Sequence, residues 1–185
     1  MMAGKGVTAN QVTITAMILS VITGLFILFN PASSLPLLFL PLVLFLRMGL
    51  NALDGMLARE HDMKSDSGAI LNELGDVISD AFLYLPLALV PLINPYLIIV
   101  IVIAGLLTEM AGVIAVQIGA SRRVDGPMGK SDRAFVLGSM AFFIAAGWLD
   151  SAAWINTILA IVLILSVLTV VNRTYKALAE TADAS

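Results

Sequence analysis

Oxygen-bearing side chains are concentrated between Asn51 and Asp80, a stretch that holds seven of the chain's thirteen acidic residues and lies between two apolar segments. A carboxylate near the middle of a bilayer costs roughly 2.5–3.5 kcal/mol, so acids placed there need a cation, water or a metal ion as partner. Intervals of three and four residues would put these side chains on one face of each of two helices. The positions are Asn51 and Asp54 in the first segment and, counted from Gly68, Asn72, Asp76 and Asp80 in the second. Two such faces turned toward each other would form a set of hard oxygen donors, which suits Mg²⁺, Mn²⁺ or Ca²⁺.

The composition identifies an integral membrane protein. Of the 185 residues, 59% are hydrophobic and only 12% are charged, whereas soluble domains carry about 25% charged residues. The chain contains no cysteine, which excludes disulfides and thiolate metal sites. The first apolar run, 14–29, follows a single lysine and is not followed by a small-residue cleavage site. We therefore interpret this run as a retained helix and not as a signal peptide.

Apolar segments predict an all-α membrane protein with six transmembrane helices in one domain over 1–185. About 20 apolar residues are needed for a helix to cross the ~30 Å hydrocarbon core of a bilayer. The segments that meet this length are 11–29, 35–58, 68–91, 96–120, 134–149 and 152–175.

The basic residues predict the orientation of these spans. Nine of the ten lysines and arginines lie on one side of the six spans, and the tenth, Arg47, lies inside the second span. The nine are Lys5, Arg59, Lys64, Arg122, Arg123, Lys130, Arg133, Arg173 and Lys176. The positive-inside rule then places both termini and the charged loops in the cytoplasm. Trp148 and Trp154 flank a turn on the other side, as interfacial anchors typically do.

The acidic stretch also resembles the signature of the CDP-alcohol phosphotransferase (CDP-alcohol phosphatidyltransferase) family, D-x2-D-G-x2-A-R-x8-G-x3-D-x3-D. The residues that match it without a gap are Asp54, Gly55, Ala58, Arg59, Gly68 and Asp76. The resemblance implies a six-helix enzyme of phospholipid biosynthesis, which transfers a phosphatidyl group from a CDP-linked lipid such as CDP-diacylglycerol to an acceptor alcohol and releases CMP. It also implies a homodimer in the inner (cytoplasmic) membrane, in contact with membrane lipids but not nucleic acid, with its active site facing the cytoplasm.

Carried over position by position, the resemblance implies a role for each site residue. Asp76 is expected to be the general base on the acceptor hydroxyl. The CDP moiety is expected to contact Asn10, Asp54, Gly55, Ala58, Arg59 and Gly68. One or two Mg²⁺ or Mn²⁺ ions are expected to be bound by Asn51, Asp54, Asn72 and Asp76. These roles agree with the chemistry of the residues, since glycine lets a nucleotide approach the backbone closely and arginine can hold a diphosphate through two parallel hydrogen bonds.

Two positions depart from the signature. The first and third aspartates of the family are Asn51 and Asn72 in this chain, which lowers the formal charge of the cluster from −4 to −2. Weaker metal binding, use of a single metal ion or a different donor could follow. Asp80, one turn beyond the general base, is our predicted replacement ligand, and Glu109 in the fourth span is a second candidate. The alternative for both acids is an ion pair with a basic residue, such as Arg47 in the case of Asp80.

Basic residues near the predicted cytoplasmic mouth suggest an acceptor site. The loop before the fifth span resembles the segment that carries such residues in the family, and Lys130, Arg133 and Arg173 are the predicted acceptor-binding residues. They favour a phosphorylated polyol, such as glycerol 3-phosphate or inositol phosphate. The alternative within this reaction class is serine or another small alcohol. Arg122 and Arg123 are interpreted as ordinary cations of a cytoplasmic loop.

Two functions of other classes remain open from the sequence. One is an inactive relative that binds a CDP-lipid or a metal ion, and the other is a cation-conducting membrane protein. A conducting path would need polar residues across the whole membrane, yet segments 35–46 and 81–91 are almost wholly apolar. The sequence therefore argues against a path through the membrane.

Overall fold

The computed structural model describes residues 8–60, 63 and 65–183, and these residues form helices and connecting loops without any β-strand. The basic residues Lys5 and Lys64, expected in the cytoplasm, lie outside this part of the chain. The six α-helices are α1 (Ala9–Phe29), α2 (Ser34–Glu60), α3 (Asp66–Tyr84), α4 (Pro95–Gln117), α5 (Lys130–Ala145) and α6 (Ala152–Asp183), and a 3₁₀ helix (Leu85–Leu89) follows α3. The all-α prediction is confirmed.

The helix ends differ from the predicted spans where local chemistry intervenes. The third span was expected to run to residue 91, but α3 ends at Tyr84 and continues as the 3₁₀ helix with Pro86 in its first turn. Proline has no backbone N–H and clashes with the preceding turn, so it ends the α-helix there. After α4, Gly119 has a φ of 87°, a left-handed conformation that suits glycine and turns the chain. The sixth span was expected to end at residue 175, but α6 continues to Asp183.

Four of the helices, α1, α2, α4 and α6, are long and apolar enough to cross a membrane. Among the described helices, α5 has only 16 residues, and α3 carries the acids of the central stretch. Large apolar side chains such as Phe29 and Phe45 are exposed on the outer surface of the bundle. An apolar outer surface of this kind is expected for a chain surrounded by lipid. The chain is an integral membrane protein, while the count of six spans stays a prediction.

Close helix contacts hold the acidic stretch in place. Helix α1 packs against α2 and α3, α2 packs against α5, and α4 packs against α6. A Cβ atom on Gly24 of α1 would lie 2.0 Å from the carbonyl oxygen of Phe82, so α1 and α3 approach at backbone distance. Apolar side chains fill the end of the bundle where α4 and α6 begin, including the fully buried Ile98, Leu137 and Leu159. Three buried arginines, Arg47, Arg133 and Arg173, and the buried acid Asp54 lie toward the opposite end.

Candidate active site

A cavity of about 1020 Å³ opens between the end of α2 and the start of α3. The predicted metal and nucleotide residues share its wall, because the three- and four-residue spacings keep them on one face of each helix. Those that line it are Asn10, Asn51, Asp54, Gly55, Ala58, Arg59, Gly68, Asn72 and Asp76. Lys130 and Arg173 of the predicted acceptor set also line it, whereas Asp80 and Arg133 lie behind the wall, at a smaller cavity.

Asp54 is oriented by a residue of α1 that the sequence reasoning missed. Its side chain is buried, with 5% of the residue exposed, and its Oδ2 accepts a hydrogen bond of 2.8 Å from the hydroxyl of Thr13. Thr13 follows Asn10 by three residues on α1, so both side chains face the cavity. That spacing was the available signal. Asp54 therefore has a fixed position, which a buried carboxylate needs in order to bind a ligand reproducibly.

Asp76 receives donors from two other helices. Its Oδ1 accepts a hydrogen bond of 2.8 Å from the Asn51 amide and contacts the ammonium of Lys130. Arg47 Nη2 lies 3.5 Å from the same oxygen and donates to the backbone carbonyl of Asp76 at 3.0 Å. The Asp76 side chain nevertheless remains 20% exposed on the cavity wall. Asp76 is thus held in place and still accessible, as a general base must be.

A buried ion network lies directly behind this wall and consists of Arg47, Asp80, Glu109, Arg133 and Arg173. One oxygen of Asp80 lies 2.5 Å from Arg47, and the other lies 3.5 Å from Arg133. Glu109 Oε1 is 3.5 Å from both Arg133 and Arg173. Both acids therefore pair with arginines, as the alternative to metal binding expected. Metal ligation by Asp80 stays a prediction, and in this arrangement each of its oxygens faces a guanidinium.

The loop between α4 and α5 is fastened to α6 and forms one side of the cavity. Arg173 donates to the backbone carbonyls of Val124 and Asp125, both at 3.1 Å. The Asp125 carboxylate is 2.7 Å from Lys176 and 3.1 Å from Arg123. Partial burial raises the pKa of Asp125, but hydrogen bonds from Lys176 and Arg123 outweigh it and lower the pKa to about 2. The Asp125 carboxylate is therefore ionised at neutral pH, and its ion pair with Lys176 holds the loop against α6.

Arg59 and Arg122 differ in the partners they have at the cavity. Arg122, which the sequence suggested was an ordinary loop cation, lines the cavity and lies 2.6 Å from Glu73. Arg59 lines it too, is exposed, and has no ion pair within the described residues. A guanidinium without an ion-pair partner keeps two parallel N–H groups available to donate to two oxygens of a phosphate. Arg59 is thus the cation of this wall best suited to an anionic ligand.

The donor set at the cavity fits one hard divalent cation. Asp54 and Asp76 supply two carboxylates, and Asn51 and Asn72 supply amide oxygens, which are ligands for Mg²⁺ or Mn²⁺. The described residues contain no group of three or more acids, histidines or cysteines arranged to hold a metal. Two carboxylates balance the charge of a single divalent ion, and Lys130 already places positive charge beside Asp76. The cavity-lining residues whose oxygens could hold Mg²⁺ or Mn²⁺ are therefore these two acids and two asparagines.

Comparisons with known proteins agree with this geometry. The chain matches the CDP-alcohol phosphatidyltransferase family over residues 6–172. Inner membrane protein YnbA of Escherichia coli (strain K12) is 47% identical over 169 residues, which cover 90% of this chain and 82% of YnbA.

Two solved structures of Mycobacterium tuberculosis phosphatidylinositol phosphate synthase (PgsA1) share the fold. The complex with manganese and citrate has a TM-score of 0.77 and 20% identity, covering 95% of this chain and 85% of that chain. The structure with CDP-DAG bound has a TM-score of 0.77 and 21% identity, covering 95% and 88%. The match to the family spans most of the sequence and includes the whole cavity wall formed by α2 and α3. The resemblance read from the acidic stretch is confirmed: the chain is a phosphatidyltransferase and belongs to the CDP-alcohol phosphatidyltransferase family.

Proposed function

We propose that this protein transfers a phosphatidyl group from a CDP-linked lipid of the CDP-diacylglycerol type to a small polar alcohol and releases CMP. The observation that carries the proposal is the shared cavity, which brings all six matched signature residues together, and two of them are the fixed carboxylates Asp54 and Asp76. Family membership supplies the reaction class. The M. tuberculosis synthase of the same fold has been solved with CDP-DAG bound, which supports a donor of this type.

On the α2 side of the cavity there is space for the CDP-linked lipid and a cation, Arg59, to bind its diphosphate. A Cβ atom on Gly55 would meet, among the described residues, only Arg59 Nη2, at 3.6 Å. Packing within the protein therefore does not require glycine at this position, whereas close approach of a ligand would. Ala58 keeps the surface low one turn further along the helix. We assign the diphosphate to Arg59 and the nucleotide to this open face, with Asn10 and Gly68 opposite.

A divalent cation, Mg²⁺ or Mn²⁺, fits the residues between the two helices. Asn51, Asp54, Asn72 and Asp76 would hold it, and such an ion neutralises the diphosphate and the charge on departing CMP. The Asn51 amide donates through its nitrogen to Asp76, and its oxygen is the atom that would bind the ion. The PgsA1 structure that contains manganese supports this choice of metal.

Asp76 is positioned to act on the acceptor. Its carboxylate removes the proton from the acceptor hydroxyl, and the oxygen forms a bond to the phosphorus that carries the diacylglycerol. The bond from that phosphorus to the bridging oxygen breaks, and CMP leaves with the electron pair. Asn51 and Lys130 keep the carboxylate directed at the cavity through their contacts with Oδ1. A base held within reach of the reacting hydroxyl typically contributes about 10²–10⁴-fold to the rate.

The arrangement in the membrane belongs to the same proposal. We place the cavity at the cytoplasmic face of the inner membrane, with both termini on that side and six helices within or across the bilayer. The distribution of basic residues supports this orientation, and the E. coli relative is named an inner membrane protein. A homodimer, implied by the family resemblance, completes the proposal.

The test is CMP release by purified protein supplied with CDP-diacylglycerol and Mg²⁺ or Mn²⁺, across a panel of alcohols. We expect release that depends on one acceptor, gives a new phospholipid and stops when EDTA removes the metal. CMP release without any phospholipid product would show hydrolysis instead of transfer. No release together with no binding of CDP-diacylglycerol would favour the inactive relative and contradict the proposal.

A further inference from the structure

We infer that the acceptor alcohol carries no phosphate group, and that Glu109 contributes to this preference by pairing with Arg133 and Arg173. The inference rests on the proposed transfer reaction and names its acceptor class. It reverses the sequence expectation that these two arginines favour a phosphorylated polyol. The reason is that both guanidiniums already pair with acids of the protein and donate their N–H groups to its oxygens.

Arg133 is withdrawn from the cavity. Only 1% of the residue is exposed, and it lies behind the wall of the large cavity. Its Nη1 donates to the Thr108 hydroxyl at 2.9 Å and the Met128 carbonyl at 3.3 Å, and its Nη2 faces Asp80 and Glu109 at 3.5 Å. A phosphate in the cavity would have to displace these partners to reach the guanidinium.

Arg173 reaches the cavity wall, but its donors are also used. It is 3% exposed, and its Nη1 donates to the Thr108 carbonyl at 2.5 Å and lies 3.5 Å from Glu109. Its other nitrogens hold the carbonyls of Val124 and Asp125, as described above. Moving this side chain toward a ligand would leave buried carbonyls and an acid without partners, which is costly.

The remaining cations on the acceptor side are paired as well. Lys130 contacts Asp76, and Arg122 lies 2.6 Å from Glu73. Arg59 is the exception among the described cations of this wall, and it lies on α2, beside the small residues assigned to the donor diphosphate. A phosphorylated acceptor would thus bring two negative charges to a wall where each nearby cation already faces a carboxylate. A neutral or zwitterionic alcohol needs no such cation.

Glu109 holds the central position in this arrangement. Its Oε1 lies at the same distance, 3.5 Å, from Arg133 and Arg173, so one carboxylate serves two guanidiniums. Replacing it by glutamine would keep the shape of the side chain but leave three arginines with only one acid, Asp80, which increases the excess of positive charge in the network. Arginine with free paired donors binds phosphate well. Glu109→Gln should therefore create affinity for phosphate where the native chain has little.

The first experiment compares matched acceptors in the CMP-release assay with native protein. Glycerol is paired with glycerol 3-phosphate, and inositol with inositol 1-phosphate, while serine represents zwitterionic alcohols. We expect an unphosphorylated alcohol to be the best acceptor, with kcat/KM at least tenfold above that of its phosphorylated partner. A preference for the phosphorylated member would overturn the inference and leave the transfer reaction standing. Silence with every alcohol would count against the transfer reaction itself.

The second experiment measures phosphate binding without turnover. We expect glycerol 3-phosphate and inorganic phosphate, added in the presence of CMP to occupy the Arg59 side of the cavity, to raise the Tm of Glu109→Gln in detergent by more than they raise the Tm of native protein. Asp66→Asn is the matched control, because Asp66 lines the same cavity but lies outside the arginine network; it should behave like the native protein. An equal rise in Tm for native protein and Glu109→Gln on addition of glycerol 3-phosphate would overturn the inference, even if no acceptor supports CMP release.

Discussion

Asp76 and Asp80 lie one helical turn apart on α3, yet the protein uses them in different ways. Asp76 faces the cavity and receives its partners on one oxygen. Asp80 faces inward, and each of its oxygens meets an arginine, Arg47 on one side and Arg133 on the other. Helical periodicity puts both acids on the same face, but the neighbouring helices determine which one can react. The comparison shows an open wall, the cavity wall that carries Asp54 and Asp76, and behind it a closed layer, the buried ion network of Arg47, Asp80, Glu109, Arg133 and Arg173.

The two regions also differ in how their charge is balanced. In the closed layer three arginines surround Asp80 and Glu109, so positive charge is in excess. At the open wall the two carboxylates Asp54 and Asp76 have one lysine beside them, so negative charge remains for a bound cation. A buried ion pair is costly to break because the remaining partner is left without compensation. Loss of a partner should therefore affect stability in the closed layer and catalysis at the open wall.

The largest effect is expected at the open wall. Asp76→Asn keeps the shape of the side chain but cannot take the acceptor proton, so the rate of CMP release should fall by about 10²–10⁴-fold. Binding of CDP-diacylglycerol, measured on the same protein, should change little. If the variant turned over within a few-fold of the native rate, Asp76 would not be the base.

The next effect is expected in the closed layer and concerns stability. Arg47→Met leaves Asp80 with one distant arginine, and removal of one partner from a buried pair costs about 3 kcal/mol or more. The unfolding temperature in detergent should drop clearly. Arg122→Met is the matched control, since Arg122 and Glu73 form an exposed pair worth about 1 kcal/mol or less. An equal drop in unfolding temperature in the two variants would show that the buried network is no more important for stability than an exposed ion pair.

A smaller effect is expected from filling the space beside Arg59. Gly55→Leu places a side chain into the cavity, so the Kd for CDP-diacylglycerol should rise, roughly tenfold for a loss of 1.4 kcal/mol, while the fold is kept. Gly49→Leu is the matched control, because Gly49 lies on the same helix outside the cavity and a Cβ there meets none of the described atoms within 4 Å. Weakened donor binding in both variants would mean that the effect is not local.

The smallest effect is expected from restoring carboxylates at the open wall. Affinity of a site for divalent ions rises with the charge of its ligands, so Asn51→Asp and Asn72→Asp should lower the Mn²⁺ concentration needed for half-maximal CMP release. Asn51→Asp also loses the amide that donates to Asp76, so its Tm should fall in EDTA and recover with Mn²⁺. An unchanged metal titration in both variants would place the ligands elsewhere.

The spacing of residues along the chain was sufficient to predict the helices and the residues that line the open wall. Positions three and four apart predicted which face of α2 and of α3 would carry Asn51, Asp54, Asn72 and Asp76, because periodicity is a local property. The burial of Arg133 and the full set of ion-pair partners of Asp80 could not be predicted from spacing. Their partners depend on how α2, α3, α4 and α5 are turned toward each other, and spacing within one helix carries no information about its neighbour. Thr13 is a different case, because its spacing of three residues from Asn10 on α1 was a local signal that could have identified it.

Helix α6 has 32 residues, so it is about 48 Å long, well beyond the ~30 Å of a hydrocarbon core. Its last turns carry Lys176 and Glu180, which hold the α4–α5 loop through Asp125 and Arg123. Since α6 follows every other described helix in the chain, a ribosome makes it after the loop it fastens. During synthesis the contacts of Lys176 and Glu180 with this loop can therefore form only after that part of α6 has been made.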